Sequence, residues 1–195
     1  MSVVVVDTGV ANLHSVVCAL ERANTTVRVS DEFNVIAAAD RLIVPGVGSA
    51  AAGMRSLADK GLVELLQSYH RPMMGICLGM QLMFETLGES GEAGLGLIEG
   101  SVEKLFSDGL PLPHMGWNTL ELMRDDPLLA GVETGEYVYF VHSFAAEPGE
   151  HTLAATRYGE RFAAVVRDGN RMGCQFHPER SGATGARILR NFLTL

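Results

Sequence analysis

The stretch that most constrains the fold is residues 75–79, which read Gly-Ile-Cys-Leu-Gly. An apolar run at 72–76 predicts a short buried strand, and a helical pattern follows at 80–86. Cys77 therefore falls on a sharp turn between a strand and a helix, with a glycine two residues away on each side. A side chain at either flanking position would collide with the neighbouring strand or helix.

This turn favours a reactive sulfur at Cys77. A cysteine at the start of a helix meets free N–H groups and the positive end of the helix dipole, which favour a thiolate. The N–H of Leu78 would also point to the place where an oxyanion forms beside the sulfur. The alternative is a buried structural cysteine, which is common in cytosolic proteins. The two glycines favour the nucleophile, because they form the cysteine counterpart of the G-x-S-x-G turn.

The composition argues against several classes of function. The chain has 195 residues and a net charge of −8, which disfavours a surface for nucleic acid or for an anionic membrane. The apolar run at 3–6 is too short for a signal sequence or a membrane span and predicts a first strand. The three cysteines are too widely spaced for a disulfide framework, so we expect a cytoplasmic protein. No cysteine or histidine pair has zinc-finger spacing, and no metal is predicted.

The order of the predicted elements gives the fold class. Buried strands are predicted at 3–6, 26–30, 41–44 and 72–76. Helical patterns alternate with them, at 13–20, in a short stretch before 41, and at 54–68 with an interruption near Gly61. This alternation predicts a parallel sheet with helices on both faces.

The second half of the chain predicts mostly short strands. Residues 88–100 are rich in glycine and predict a mobile surface loop. Further strands are predicted at 101–105, 120–123, 136–143, 153–158, 162–167 and 172–176, and a last helix at 186–195. Asp168 and Gly169 are typical of a type I′ turn. We expect one α/β domain, residues 1–195, with a flavodoxin-like, three-layer, open mixed sheet that is largely parallel and is extended by antiparallel strands.

A second chemical group follows the strand predicted at 172–176. His177 and Glu179 are two residues apart on an extended segment, so their side chains project to the same side. A carboxylate beside an imidazole can hold its Nδ1–H and leave Nε2 free to take a proton from a thiol. Together with Cys77 they would form a nucleophile, a base and an orienting acid. The alternative is a surface histidine with an incidental acid beside it.

A glycine loop follows the strand at 41–44, and it has two interpretations. Gly46, Gly48 and Ala51 formally match a dinucleotide-binding fingerprint, but the loop does not follow the first strand and no acid lies at the required distance. We therefore expect no cofactor. In an acyl-transfer site, the loop would offer a second N–H to the oxyanion, because glycines permit the backbone to turn.

Two further positions stay open on the residues alone. His142 lies in an aromatic-rich strand and is either a core histidine or a functional one. Trp117 is the only tryptophan, and it is either exposed at a protein interface or buried in the ordinary way.

At these residues the chain resembles the class I (triad) glutamine amidotransferases, and among them the glutaminase subunits of imidazole glycerol phosphate synthase. The motifs that carry the resemblance lie at 7–16, 42–48, 75–82, 113–118, 139–144 and 175–182, and the similarity spans nearly the whole chain. The segments Pro-His-Met-Gly-Trp-Asn at 113–118 and Phe-Val-His-Ser at 140–143 separate this subfamily from others. The first loop departs from the pattern at Thr8 and Ala11.

The resemblance implies a role for each matching residue. Cys77 would attack the side-chain amide carbon of glutamine, His177 would move the proton to the leaving ammonia, and Glu179 would orient His177. The oxyanion hole would be formed by the N–H groups of Leu78 and Val47, the latter between Gly46 and Gly48. The residues implied to hold the α-amino and α-carboxylate groups are Gln81, Glu89, Ser143 and Phe144.

The resemblance also implies a partner. The residues that would face it, or the passage for ammonia, are Asn12, Trp117, Tyr139, His142 and Arg180. The family's partner is a (β/α)8-barrel cyclase subunit, which uses the ammonia to make imidazole glycerol phosphate in histidine biosynthesis, so a heterodimer is expected. Two alternatives are a glutaminase subunit of another pathway, such as pyridoxal phosphate synthesis, and a non-catalytic binding subunit of the same fold. A Cys–His peptidase or a related hydrolase is a further alternative.

Overall fold

A computed structural model describes residues 1–9 and 11–195. The first strand, β1 (Val3–Val6), is buried on both sides, because Val3 and Val5 enter one hydrophobic cluster and Val4 and Val6 the other. It pairs in parallel with β2 (Val27–Ser30) on one side and with β3 (Arg41–Gly46) on the other. The continuous β-branched run therefore forms an inner strand of a two-faced parallel sheet, as the sequence predicts.

The main sheet has eight strands in the order β2-β1-β3-β4-β14-β13-β12-β9. The further strands in it are β4 (Met73–Cys77), β9 (Glu121–Leu122), β12 (Thr152–Tyr158), β13 (Glu160–Asp168) and β14 (Arg171–Cys174). Pairing is parallel from β2 as far as β14 and antiparallel from β14 to β9. The predicted mixed sheet is confirmed.

Helices cover both faces of this sheet. One face is covered by α1 (Leu13–Arg22) and α6 (Gly182–Thr194), which contribute to the first cluster. The other face is covered by α2 (Phe33–Ala38), α3 (Ala50–Asp59) and α4 (Val63–Ser68). The last helix begins four residues before its predicted start, and α3 begins at Ala50 because Ser49 caps it by accepting from the N–H of Ala52.

Two smaller sheets complete the fold. One pairs β8 (His114–Thr119) with β10 (Tyr137–His142), and we call this pair the β8–β10 ribbon. The other has the order β11-β7-β5-β6. Its strands are β5 (Phe84–Leu87), β6 (Glu92–Ala93), β7 (Ile98–Lys104) and β11 (Phe144–Ala146). Short 3₁₀ turns lie at Pro127–Leu129 and Pro178–Arg180.

These sheets correct two predictions. The helix predicted at 80–86 is wrong, because α5 (Leu78–Gln81) ends after four residues and β5 follows. The loop predicted at 88–100 is also wrong in part, because β6 lies within it, β7 begins in it, and Leu95 and Leu97 are buried. Strands β8 and β11 were not predicted.

Two strand ends also differ from the predictions. Strand β3 continues through Pro45 and Gly46, which pair with Ile76 and Cys77, although proline and glycine were expected to end it. In the β13–β14 hairpin, Asp168 pairs with Arg171, so the two central residues are Gly169 and Asn170. The prediction of a type I′ turn with Asp168 and Gly169 at its centre is therefore wrong. No helix in the described ranges is long and apolar enough to cross a membrane.

The turn from β4 into α5 is possible only without side chains on its flanks. A Cβ at Gly79 would overlap the carbonyl oxygen of Val44 in β3. A Cβ at Gly75 would lie 2.5 Å from the N atom of Met80 and 2.6 Å from the backbone of Gly79. All of these atoms belong to the backbone, which cannot rotate away as a flexible side chain would. The predicted steric reason for the two glycines is confirmed.

We expect Gly79→Ala to destabilise the protein by more than about 3 kcal/mol, because β3 and α5 would have to separate. Denaturant unfolding measures this. Gly149→Ala is the control, since a Cβ there meets no described atom within 4 Å, and it should change stability by less than about 1 kcal/mol. Equal stabilities of the two variants would contradict the close-contact explanation.

Candidate active site

Cys77 ends β4 in a strained conformation, with φ 54° and ψ −112°. A non-glycine residue with positive φ costs about 1–3 kcal/mol unless surrounding structure holds it there. The strain lifts the sulfur from the end of the strand, where it is 6% exposed. Because α5 has only four residues, its dipole is short, and the predicted effect of a helix N-terminus on the sulfur is correspondingly small.

Several elements meet around the Cys77 sulfur. The thiol donates to the carbonyl oxygen of Val141 in β10 at 3.7 Å, and Gln175 Nε2 donates to the sulfur at 3.9 Å. Gly46 stands beside Cys77 in the β3–β4 register, so the glycine loop at 45–48 begins next to the sulfur. The carboxyl ends of β3 and β4 and the segment after β14 thus converge at one edge of the sheet, as parallel topology requires.

His177 and Glu179 lie beside this edge and contact each other. The distance from His177 Nδ1 to Glu179 Oε1 is 2.8 Å, and both side chains are buried. The two residues do not lie on one extended segment as predicted, since Glu179 belongs to the 3₁₀ turn Pro178–Arg180. That turn brings the carboxylate back onto the ring. The N–H of His177 donates to the carbonyl oxygen of Tyr139 at 3.0 Å and fixes the backbone.

The His177 ring sits between two acids. Burial disfavours its charged form, but the neighbouring Cys77 and Glu179 side chains favour it more strongly and raise the pKa of His177 to about 10. Across the described residues, Glu179 Oε2 and His177 Nε2 have no hydrogen-bond partner of normal geometry. The structure thus brings Cys77, His177 and Glu179 together, with Nδ1 occupied and Nε2 left for the sulfur or a substrate.

A cavity of about 370 Å³ opens beside the sulfur. Its size and mixed polar and apolar lining suit a small molecule. Predicted site residues on its wall are Val47, Gly48, Cys77, Leu78, Gln81, Glu89, His142, Ser143 and Phe144. Gly46 lies behind the wall, where a Cβ would come within 3.0 Å of the Leu78 side chain.

Gln81 and Glu89 are held in place on this wall. Gln81 Nε2 donates to the carbonyl oxygen of Phe144 at 2.8 Å and to Gln175 Oε1 at 3.0 Å. Both amide hydrogens are then used, so Gln81 has its Oε1 left as an acceptor. Glu89 Oε2 accepts from the N–H of Ala50 at 2.6 Å, at the start of α3, which ties the loop after β5 to the cavity.

A pair of histidines at the cavity wall was not predicted. His114 and His142 are cross-strand neighbours in the β8–β10 ribbon, and His114 Nδ1 lies 3.0 Å from His142 Nε2. Burial lowers the pKa of His114 to about 4 and, with smaller contributions from neighbouring charges, that of His142 to about 3. The two open interpretations of His142 are not exclusive, because it is a buried histidine that also lines the cavity.

The ribbon turns its other face to solvent. Trp117 is 55% exposed and makes an edge contact with Tyr139 at 5.9 Å between ring centroids. Met115 and Tyr137 are exposed beside them. Trp117 is therefore exposed and not buried, and the ribbon presents an aromatic patch beside the site.

Asn12 and Arg180 lie near the triad-like group. Asn12 caps α1, with its side chain accepting from the N–H of Ser15 at 3.5 Å, and it lines a small crevice together with His177 and Glu179. Arg180 follows Glu179 directly and is exposed. Over the described ranges, no cluster of three or more His, Cys, Asp or Glu could hold a metal ion.

Comparison with known proteins places the chain in a class. Residues 4–195 match the family model described as Glutamine amidotransferase class-I. A solved structure described as a glutamine amidotransferase superposes with a TM-score of 0.76 at 21% identity, over 98% of this chain and 97% of that one. The chain therefore belongs to the class I glutamine amidotransferases and has their fold.

Sequence relatives narrow the assignment. The imidazole glycerol phosphate synthase subunit HisH of Idiomarina loihiensis is 52% identical over 196 residues, covering all of this chain and 98% of that protein. The HisH subunit of Vibrio cholerae is 46% identical over 200 residues, with the same coverage. The chain belongs to the HisH family of imidazole glycerol phosphate synthase subunits.

The two buried histidines predict a pH dependence of stability. The pKa values of both histidines are lower in the folded protein than the value of about 6.5 in an unfolded chain. Below pH 6.5 the unfolded state therefore binds more protons than the folded state does. As the pH is lowered from 6.5 to 5.5, these two histidines should therefore reduce stability by about 1 kcal/mol each, and the raised pKa of His177 should offset a smaller part of that loss. Urea unfolding at the two pH values measures this.

The control for this measurement is the exposed residue His70. The His70→Leu variant should lose as much stability between pH 6.5 and 5.5 as the unchanged protein does. Stability that stays constant over that interval would show that His114 and His142 take up protons freely in the folded state.

Proposed function

We propose that this protein is a glutaminase that hydrolyses glutamine to glutamate and ammonia through a thioester on Cys77. The observation that carries the proposal is the series Cys77, His177 and Glu179 beside a cavity with fixed polar groups on its wall. The HisH names of the relatives support it, as does the match to the amidotransferase class.

In the proposed reaction, the two side chains beside His177, those of Cys77 and Glu179, have different roles. Cys77, as the thiolate, attacks the side-chain amide carbon of glutamine, and a tetrahedral intermediate forms. His177 gives its Nε2 proton to the amide nitrogen, the C–N bond breaks, and ammonia leaves. Water then attacks the thioester while His177 takes its proton, which releases glutamate and restores the thiolate. Glu179 keeps Nδ1 protonated and stabilises the charged ring.

The oxyanion in this scheme is held by backbone N–H groups. Leu78 begins α5 directly after Cys77, so its N–H is not used within the helix. The second donor is the N–H of Val47, in the loop between Gly46 and Gly48. Gly48 has φ +92°, a conformation that glycine adopts without strain, which lets this loop take the turn that aims the N–H.

Glutamine would be recognised by the polar wall of the cavity. Gln81 Oε1 and the Glu89 carboxylate are acceptors and suit the α-ammonium group. The Ser143 hydroxyl and the backbone of Phe144 would hold the α-carboxylate end. The Phe144 carbonyl already accepts from Gln81 and from His142, so its part is to fix the wall.

We propose that the product passes to a (β/α)8-barrel cyclase subunit in a heterodimer. Ammonia that reached bulk water would become ammonium, which has no lone pair to attack with, so the two sites must join through a closed passage. The β8–β10 ribbon lies beside the sulfur and exposes Trp117, with Tyr139, Asn12, Arg180 and His142 around the same edge. These residues would form the docking surface and the start of the passage.

The proposal extends to the organisation and location of the chain. We propose that residues 1–195 form a single amidotransferase domain, since the main sheet joins strands from β1 to β14 and α6 returns to contact α1. A cytoplasmic location is supported by the three cysteines, which are free thiols within the described ranges.

Replacing the nucleophile should separate glutamate release from synthesis that is driven by added ammonia. Cys77→Ala in the complex with the cyclase should lower glutamate release by at least about 10³-fold, because the thioester cannot form. Synthesis driven by added ammonium chloride should continue, since it does not use the sulfur. Cys18→Ala is the control, because Cys18 lies on α1 away from the cavity. Loss of both activities in Cys77→Ala would contradict the division of labour.

Replacing Trp117, the exposed aromatic residue of the proposed docking surface, tests whether the cyclase binds there. Trp117→Ala should weaken binding to the cyclase by about tenfold or more, as expected for a central aromatic of an interface. Isothermal titration calorimetry measures the affinity. Phe33→Ala is a matched control, since Phe33 is 53% exposed but lies on α2 at the far edge of the sheet. Equal affinities of the two variants would place the interface elsewhere.

A further inference from the structure

A chain of hydrogen bonds runs from the ribbon to the cavity wall, and each proton in it can be assigned. His142 Nδ1 lies 2.9 Å from the carbonyl oxygen of Phe144, which can only accept. Nδ1 therefore carries the hydrogen and Nε2 of the uncharged ring is an acceptor. His114 Nδ1 faces that acceptor at 3.0 Å and must be the donor.

The orientation of Asn118, at the other end of this chain of hydrogen bonds, is fixed as well. Asn118 Nδ2 lies 3.3 Å from His114 Nε2 and also donates to the carbonyl oxygen of Arg157 at 3.0 Å. Its Oδ1 accepts from the N–H of Thr119 at 2.8 Å, which settles the orientation of the amide. The direction of donation is thus Asn118 to His114, His114 to His142, and His142 to Phe144.

Aromatic side chains hold the two rings. His114 is stacked between Phe140, at 4.9 Å between centroids, and Tyr158, at 4.1 Å. Phe162 meets His142 edge-on at 4.8 Å. His114 is 2% exposed and His142 is 6% exposed. Rings packed in this way cannot turn freely, so the donors keep their direction.

The Phe144 carbonyl is where this chain joins the active site. It accepts from His142 on one side and from Gln81 Nε2 at 2.8 Å on the other. Gln81 also donates to Gln175, whose Nε2 donates to the Cys77 sulfur. The position of this one carbonyl therefore determines the placement of Gln81 and of the wall formed by Ser143 and Phe144.

We propose that His114 and His142 are positioning residues, which fix the Phe144 carbonyl and through it the glutamine-binding wall. The proposal rests on the proposed glutaminase activity, because it assigns glutamine to this cavity. Burial lowers both pKa values, which keeps the rings uncharged at neutral pH and preserves the single direction of donation. The competing explanation is that the two rings only fill the core between β8, β10 and β13.

The kinetic experiment compares two replacements of His142 in the complex with the cyclase. His142→Leu removes the donor, and we expect the KM for glutamine to rise three- to tenfold with kcat changed less than twofold, as for loss of a binding interaction. His142→Asn keeps a donor near the Nδ1 position and should restore most of the affinity. His70→Leu, an exposed site, should leave both constants unchanged.

The outcomes separate the two proposals. Unchanged KM in His142→Leu, or equal KM in the Leu and Asn variants, would overturn the positioning role while leaving the glutaminase intact. Absence of glutamate release from the unchanged complex would instead refute the proposed function.

A second measurement does not depend on activity or on the folding of a variant. Long-range ¹H–¹⁵N spectra of the histidine-labelled protein at pH 7 should show two uncharged rings protonated at Nδ1, which is the less common tautomer. Protonation at Nε2, or a charged ring at either site, would overturn the proposed direction of donation and with it the positioning role.

Discussion

The structure of the site depends on how closely the turn after β4 approaches β3. Gly79 lies against the Val44 carbonyl, and Gly75 lies against the backbone of Gly79 and Met80. This contact holds Cys77 at positive φ, which turns the sulfur away from the sheet and towards the cavity. The strain of that conformation is offset by the parallel β3–β4 pairing, which continues as far as Gly46 and Cys77 themselves.

The sheet topology then decides which chemistry reaches the sulfur. Because β4 lies between β3 and β14, the segments that follow all three strands end at one edge. The loop at 45–48 comes from one side and His177 with Glu179 from the other. The antiparallel half contributes little to this edge directly. The cavity is enclosed there by the small sheets, through Val141 in β10, Phe144 in β11 and Ser143 between these strands.

The residues that could be predicted from the sequence are those whose geometry is local. Cys77 between its glycines and His177 before Pro178 act within a few residues, so their motifs identify the site. The helix predicted at 80–86 was wrong because Phe84 pairs with Ile98, a contact that helical periodicity cannot register. The histidine pair was missed for the same reason, since His114 and His142 are 28 residues apart and meet only through the register of an antiparallel ribbon. Finding the pair would have required both the strand β8 and its register against β10.

Histidines in one small region have pKa values shifted in opposite directions, and their partners explain why. His177 faces a thiol and a carboxylate, so its charged form is stabilised in spite of burial. His142 faces a carbonyl and a second imidazole, neither of which carries a negative charge, so burial is the largest influence and lowers its pKa, and the ring stays uncharged. The positive charge is thereby confined to the ring next to the sulfur. A charged His142 would carry a hydrogen on Nε2 and could not accept from His114, so the direction of donation in the wall requires that ring to stay uncharged.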